Sequence, residues 1–322
     1  MLAILAILAI TGPIFAVIGL GFLSVYLGLF QRSDMRILGA FVINIALPAL
    51  IVSALSRRTL TEILRADYLL ACAGGALATF FLTQLWFLYG RGRSFQESTV
   101  TAMGSSLSNS AYIGLPIVIQ VVGPVASVAL ALNMVVENIL ILPLALILAD
   151  LAGQGQASVM ERLQDVARSL LKNPIILSLI CGLFLATLQR PLPGVLAKPV
   201  DMLAVAAAPV ALFAIGGNLA GSRLGGMVGD VGQLLGIKLI LHPLLVGLIA
   251  LSIPEMAPEM QAAAILYASV PMFSIYPIFG MKYGMEVFCS AAVVAATMAS
   301  FVTITVAIWL VHRVVLPPVA LP

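Results

Sequence analysis

Charge is what this chain has least of. Asp, Glu, Lys and Arg together make up 9% of 322 residues, against 62% hydrophobic residues and a mean hydropathy of +1.15. That balance excludes an ordinary soluble domain. Histidine occurs twice and cysteine three times. Cys72, Cys181 and Cys289 all fall inside apolar runs, which excludes a disulfide framework and leaves them as small packing residues. No pair of His, Cys or acidic residues has metal-ligand spacing, so neither a metal nor another cofactor is expected. No G-x-x-x-x-G-K-[ST] phosphate loop is present, which rules out an ATP-driven motor. Nothing resembles G-x-S-x-G, so hydrolase chemistry has no support and the chain is not read as an enzyme. The basic residues are scattered among short segments rather than gathered in a patch, which argues against nucleic acid as a partner.

What is present is a series of apolar stretches. A helical span needs about 20 mostly apolar residues, and ten stretches of that kind follow one another: Ile4–Leu29, Ile37–Leu55, Tyr68–Tyr89, Ser94–Val122, Pro124–Ala149, Pro174–Leu188, Leu196–Leu219, Val231–Leu251, Met260–Tyr283 and Val287–Val311. The first lacks a basic leader and continues past Gly12–Pro13, so it reads as a span rather than a signal peptide. The fold class is therefore an all-α polytopic membrane protein with ten transmembrane helices. Loop charge sets its orientation. With both termini outside, Arg32, Arg36, Arg91, Arg93, Arg162, Arg168, Lys172, Arg223 and Lys282 lie inside, and fewer basic residues lie outside.

The two halves resemble each other. Pro13, Pro48 and Pro116 recur as Pro174, Pro209 and Pro277 at one shared spacing, and Gly21, Gly75 and Gly123 recur as Gly182, Gly236 and Gly284. Five spans per half is an odd number, so the halves insert with opposite topology as two inverted repeats. Residues 1–150 form the first and 173–322 the second. The 151–172 link lies between them on the cytoplasmic side. Its Val159, Leu163, Val166 and Leu170 have the spacing of a short interfacial helix.

Two spans carry interruptions at matching places, which is the best sequence pointer to a transporter's substrate site. The fourth holds Ser108, Asn109, Ser110, Tyr112 and Gly114 before Pro116. The ninth holds Pro271, Ser274 and Tyr276 before Pro277. A proline removes a donor and clashes with the carbonyl four residues earlier, and backbone freed in this way must line a cavity or be buried in protein. If the breaks meet, half-helix N-termini point into one site and favour an anion. A simple kink at each proline is the competing reading. Further polar residues lie at membrane depth. Lys238 and His242 share a face of the eighth span, where Lys238 lines a path or snorkels outward. Glu137 and Asn133 lie in the fifth, and Glu137 is a candidate to carry a coupling proton, ligate Na⁺ or pair with Lys238. Asn44 and Asn218 read as stitches between helices.

Several segments together resemble the auxin efflux carrier family: Asn173-Pro174-Ile175-Ile176, the stretch from Ala207-Ala208-Pro209 to Gly216, Lys238 to His242-Pro243, Asn109 to Gly114-Leu115-Pro116, and Ser269-Val270-Pro271 to Tyr283-Gly284. The resemblance covers nearly the whole chain. It implies a scaffold of spans 1, 2, 6 and 7, usually dimeric, and a moving transport domain of spans 3–5 and 8–10, with spans 4 and 9 crossing at Asn109, Pro116, Pro271 and Pro277. Plant members export the auxin anion, and bacterial members are described as permeases for malonate, malate or similar acids. The short central link matches the bacterial type. Related sodium-coupled bile acid symporters carry a carboxylate near the ninth-span crossover, and Pro271-Met272-Phe273-Ser274 has none. The expectation is a secondary carrier for a small organic anion in the cytoplasmic membrane, coupled to H⁺ or Na⁺ or uncoupled. A channel and a membrane sensor are the alternatives of other classes.

Overall fold

A computed structural model of the chain describes residues 2–59, 65–151, 168, 171–172, 174–189, 192–220 and 228–316. Nearly all of the expected 151–172 link and its interfacial helix lie outside these residues. The described regular structure is helical: α1 (Leu2–Tyr26), α2 (Arg32–Leu55), α3 (Ala66–Gly90), α4 (Phe95–Ser106), α5 (Ser110–Val122), α6 (Val125–Leu151), α7 (Pro174–Leu188), α8 (Gly194–Leu219), α9 (Gly229–Leu251), α10 (Pro258–Ser269), α11 (Tyr276–Lys282) and α12 (Glu286–Val314). Of these, α2, α3, α6, α8, α9 and α12 are long and apolar enough to cross a membrane. Phe15–Tyr26, α5 and α7 are shorter apolar helices. Helices suit such a sequence because each satisfies its own backbone where no water can.

Sidedness is inverted relative to a soluble helix. On α9, Ile240, Leu244 and Leu248 are exposed while Lys238 and His242 are buried, so the apolar face is left for lipid and the polar face packs inward. The same inward packing buries Cys72 and Cys289, whereas Cys181 is exposed. Asn44 does not stitch helices together. Its amide donates to Ala40 O of its own helix at 2.8 Å.

Small residues let helices approach closely. The backbone of α1 at Ile18 lies against Gly216 of α8, and the α8 backbone at Phe213 lies against Gly21. A second set packs around α3, which contacts α4 and α9, while α9 contacts α10 and α11 contacts α12. The α3–α4 turn is tied to α9 by Arg91 and Arg93, which both clasp the buried Asp230. Those hydrogen bonds raise the Arg93 guanidinium further above its ordinary value. Ser94 starts α4 with a reciprocal cap, accepting from Glu97 N while its own N–H reaches Glu97 Oε2 at 2.9 Å.

Prolines shape the spans in a way the sequence does not announce. Four π-helical turns, Val42–Ala46, Ser110–Gly114, Val136–Ile141 and Ile237–Leu241, end just before Pro48, Pro116, Pro143 and Pro243. In each, the residue before the proline bonds back five residues: Leu47 N to Val42 O, Leu115 N to Ser110 O, Leu142 N to Glu137 O and His242 N to Ile237 O. The wider turn gives room to the carbonyl that the ring would strike. The span therefore continues through Pro116, and the break expected there is not at that proline.

Candidate functional site

The fourth span breaks six residues or more ahead of Pro116. Helix α4 ends at Ser106, Leu107 is extended with φ −99° and ψ 133°, and α5 opens at Ser110. The ninth span breaks where expected. Helix α10 ends at Ser269, Val270 is extended as a residue before proline should be, and α11 resumes at Tyr276. The two breaks meet. Ser108 and Met272 form an isolated antiparallel bridge, and Asn109 N–H donates to Pro271 O at 2.8 Å. The Asn109 side chain repeats the link, its Nδ2 donating to Ser274 Oγ at 2.7 Å. Asn109 O accepts from Ile113 N and Gly114 N, which anchors the start of α5.

Behind this crossing lies a buried polar chain. Glu137 Oε1 accepts from Ser108 N at 3.1 Å, Ser110 Oγ at 2.8 Å and Asn133 Nδ2 at 2.9 Å. Asn133 Nδ2 also donates to Ser110 Oγ at 2.7 Å. From the other side, Lys238 Nζ donates to Ser108 Oγ at 2.6 Å and lies 2.8 Å from His242 Nδ1. Lys238 is fully buried, so it does not snorkel. It forms no direct ion pair with Glu137; Ser108 stands between them. The π turns explain why these groups converge, since Ser110, Glu137 and Lys238 each sit in one of the turns widened ahead of a proline.

A cavity of about 110 Å³ opens at the crossing. Ser108, Asn109, Ser110, Tyr112, Glu137, Asn138 and Ser274 line it, together with apolar residues that include Ile43, Leu47, Met134, Leu142, Ile175 and Phe273. The first N–H groups of α5 have no acceptor within their own helix, and Ser110 and Ala111, which open that helix, line this space. Helix α11 differs. Its first-turn donors are taken up locally, Tyr276 N by Phe273 O and Ile278 N by Ile275 O. A second space of about 10 Å³, roughly one water, lies between Ser106, Ser108, Asn133, Glu137 and His242.

Most of the sequence-expected residues thus come together. Ser108, Asn109, Ser110, Tyr112 and Ser274 are on the cavity, and Glu137, Asn133, Lys238 and His242 form the chain behind it. Four prove to be placed elsewhere. Pro116 is buried inside α5 and does not line the cavity; Pro277 sits in the first turn of α11, where a missing donor costs nothing. Pro271 contributes its carbonyl to the crossing rather than a cavity wall. Tyr276 is packed against Gly104, and its hydroxyl donates to Val100 O at 2.9 Å. Asn138, which flanks Glu137 in the sequence, was not among the expected site residues, and neither were the aliphatic residues of the lining, since apolar residues in apolar spans give no signal.

The fold and this site define a polytopic α-helical membrane protein with a largely apolar cavity, edged by polar side chains, where two interrupted helical segments meet. The family profile described as "Membrane transport protein" matches residues 7–310. The chain belongs to that family, the auxin efflux carriers, and is a multi-pass membrane transporter. It is 32% identical over 307 residues to a Rhizobium meliloti (strain 1021) protein named "Putative malonate transporter", covering 95% of this chain and 96% of the relative. It is 23% identical to the Escherichia coli (strain K12) protein "Uncharacterized transporter YfdV", covering 92% and 95%. A Methanothermobacter thermautotrophicus protein, "Uncharacterized transporter", is 21% identical over 88% of this chain and 92% of its own length.

Proposed function

We propose that this protein is a secondary carrier that moves a small organic anion across the cytoplasmic membrane by alternating access around the crossing of spans 4 and 9. The observation that carries the reading is the pair of contacts from Asn109 to the facing break, N–H to Pro271 O and Nδ2 to Ser274 Oγ. They close two interrupted spans around one cavity that carries polar groups at the crossing, which is the arrangement transporters use for substrate binding. A carboxylate there accepts from Ser274, the remaining Asn109 N–H and the first amides of α5. The name of the Rhizobium relative agrees with an organic acid.

Ten spans in two inverted five-helix repeats, with both termini outside, are the topology of this reading. Helices α1, α2, α7 and α8 serve as the scaffold and as the face of a homodimer, and the other spans move past it as an elevator. Support comes from the packing, with α1 against α8 and α7 against α2, while α3, α4 and α9 pack among themselves. Glu137, Lys238 and His242 are the candidates for coupling to H⁺ or Na⁺.

The test is counterflow in proteoliposomes with labelled malonate, malate, a monocarboxylate, indole-3-acetate and a bile acid, each with and without Na⁺. Saturable exchange of an acid, abolished by Asn109→Ala in a folded, monodisperse protein, is the expected result. Exchange that Asn109→Ala leaves unchanged removes the crossing as the substrate site. Flux without saturation points to a channel, and binding without flux to a sensor.

A further inference from the structure

The cavity at the crossing is lined mostly by apolar residues. Its neutral polar lining is Ser108, Asn109, Ser110, Tyr112, Asn138 and Ser274, and Ile43, Leu47, Leu142, Ile175 and Phe273 are among the apolar residues. No Lys, Arg or His is among the described lining residues, and the acidic group among them is Glu137. The buried Lys238 is not among the described lining residues; it donates to Ser108 Oγ, which is.

Resting on the carrier reading above, we propose that the substrate is a monocarboxylate with a compact apolar body, not a dianion such as malonate. One carboxylate is served by the Asn109–Ser274 side. A second carboxylate on a short acid would lose its water among mostly aliphatic side chains, with no lysine, arginine or histidine among the described lining residues to pair it and the Glu137 carboxylate on the same cavity. A buried charge without a partner is strongly disfavoured. The apolar lining instead gains from covering a hydrocarbon tail. The volume, about 110 Å³, admits a tail of several heavy atoms when one water takes about 10–15 Å³ of such space, and it leaves out a sterol acid. Discrimination then comes from what the cavity fails to offer a dianion.

The experiment is calorimetric titration of the purified full-length protein at alkaline pH with acids matched in heavy-atom number, pentanoate against malonate and hexanoate against succinate. Asn109→Ala serves as the control for partition into detergent. The monoacid is expected to bind more tightly by about tenfold or more in both pairs, with saturable binding lost in Asn109→Ala. Ile43→Lys, which places a cation in the apolar lining, is expected to shift preference toward succinate. Its folding is checked by thermal unfolding, and Leu142→Lys replaces it if it does not fold. Equal or tighter binding of the dianions overturns the monocarboxylate class and leaves the organic-anion carrier standing. An unchanged preference in the folded lysine variant also overturns it. Saturable binding of neither acid overturns both readings.

Discussion

Glu137 and Lys238 do not touch; they grip the two ends of Ser108. The carboxylate takes its backbone N–H at 3.1 Å and the ammonium donates to its hydroxyl at 2.6 Å. One residue between α4 and α5 is thereby fixed from α6 and α9 together. Any movement of the break is felt by both charged groups.

That bridge predicts coupling between the pair. Lys238→Met and Glu137→Gln each remove or weaken a buried hydrogen bond between a charged group and Ser108, a change of about 1–3 kcal/mol. The double variant is expected to lose less than the sum of the singles, with an interaction of about 1–3 kcal/mol. Thermal unfolding of the four proteins in one detergent measures it. Strict additivity would show that Ser108 transmits nothing between them.

Ser108→Ala isolates the hydroxyl, because its backbone N–H still reaches Glu137. The Lys238 ammonium then keeps His242 but loses an acceptor at full burial. A loss of about 1–3 kcal/mol is expected, with exchange slowed more than binding is weakened. A variant as stable as the parent would mean that Lys238 finds another acceptor.

Tyr112 ties span 4 to span 2, its hydroxyl donating to Gly39 O at 3.0 Å. If these helices belong to bodies that slide past each other, the bond must break in each cycle. Tyr112→Phe is expected to speed exchange severalfold, on the scale of about 1 kcal/mol for one hydrogen bond, with substrate affinity little changed. Slower exchange with normal affinity would instead place Tyr112 in the moving step as a positive contributor.

Gly216 permits the closest helix contact in the protein's α1–α8 pair. A Cβ there would collide with the Ile18 carbonyl, backbone that cannot turn aside. Gly216→Ala is expected to cost about 2 kcal/mol or more, whereas Gly19→Ala on α1, with open space around it, is expected to be neutral. Equal melting temperatures for the two variants would refute the close-packing argument.

Asp230 offers the contrast of a clasp near water. Both of its arginine partners are about 40% exposed, so solvent screens the pairs, and Asp230→Asn is expected to cost only about 1 kcal/mol. A loss several times larger would show that the clasp holds the α3–α4 turn against α9 cooperatively.

Composition determined that this chain spans a membrane, and the long apolar runs without strand alternation determined that it does so as helices, which satisfy their own backbone there. The ninth-span break was legible too. Pro271 holds Val270 extended and Pro277 can begin a helix, both through local geometry that needs no partner. The fourth-span break was not. Pro116 marks it in the sequence, yet the widened turn at Ser110–Gly114 absorbs that proline and the chain opens at Leu107–Asn109 instead. Nothing local demands an opening there. It exists because Glu137 and Pro271, distant in sequence, supply the acceptors that the N–H groups of Ser108 and Asn109 would otherwise find within the helix. The same is true of Lys238, whose spacing fitted a path to the surface or a place inside. Burial against Ser108 and His242 decided it, since a charge in the interior stays only where partners from other helices meet it.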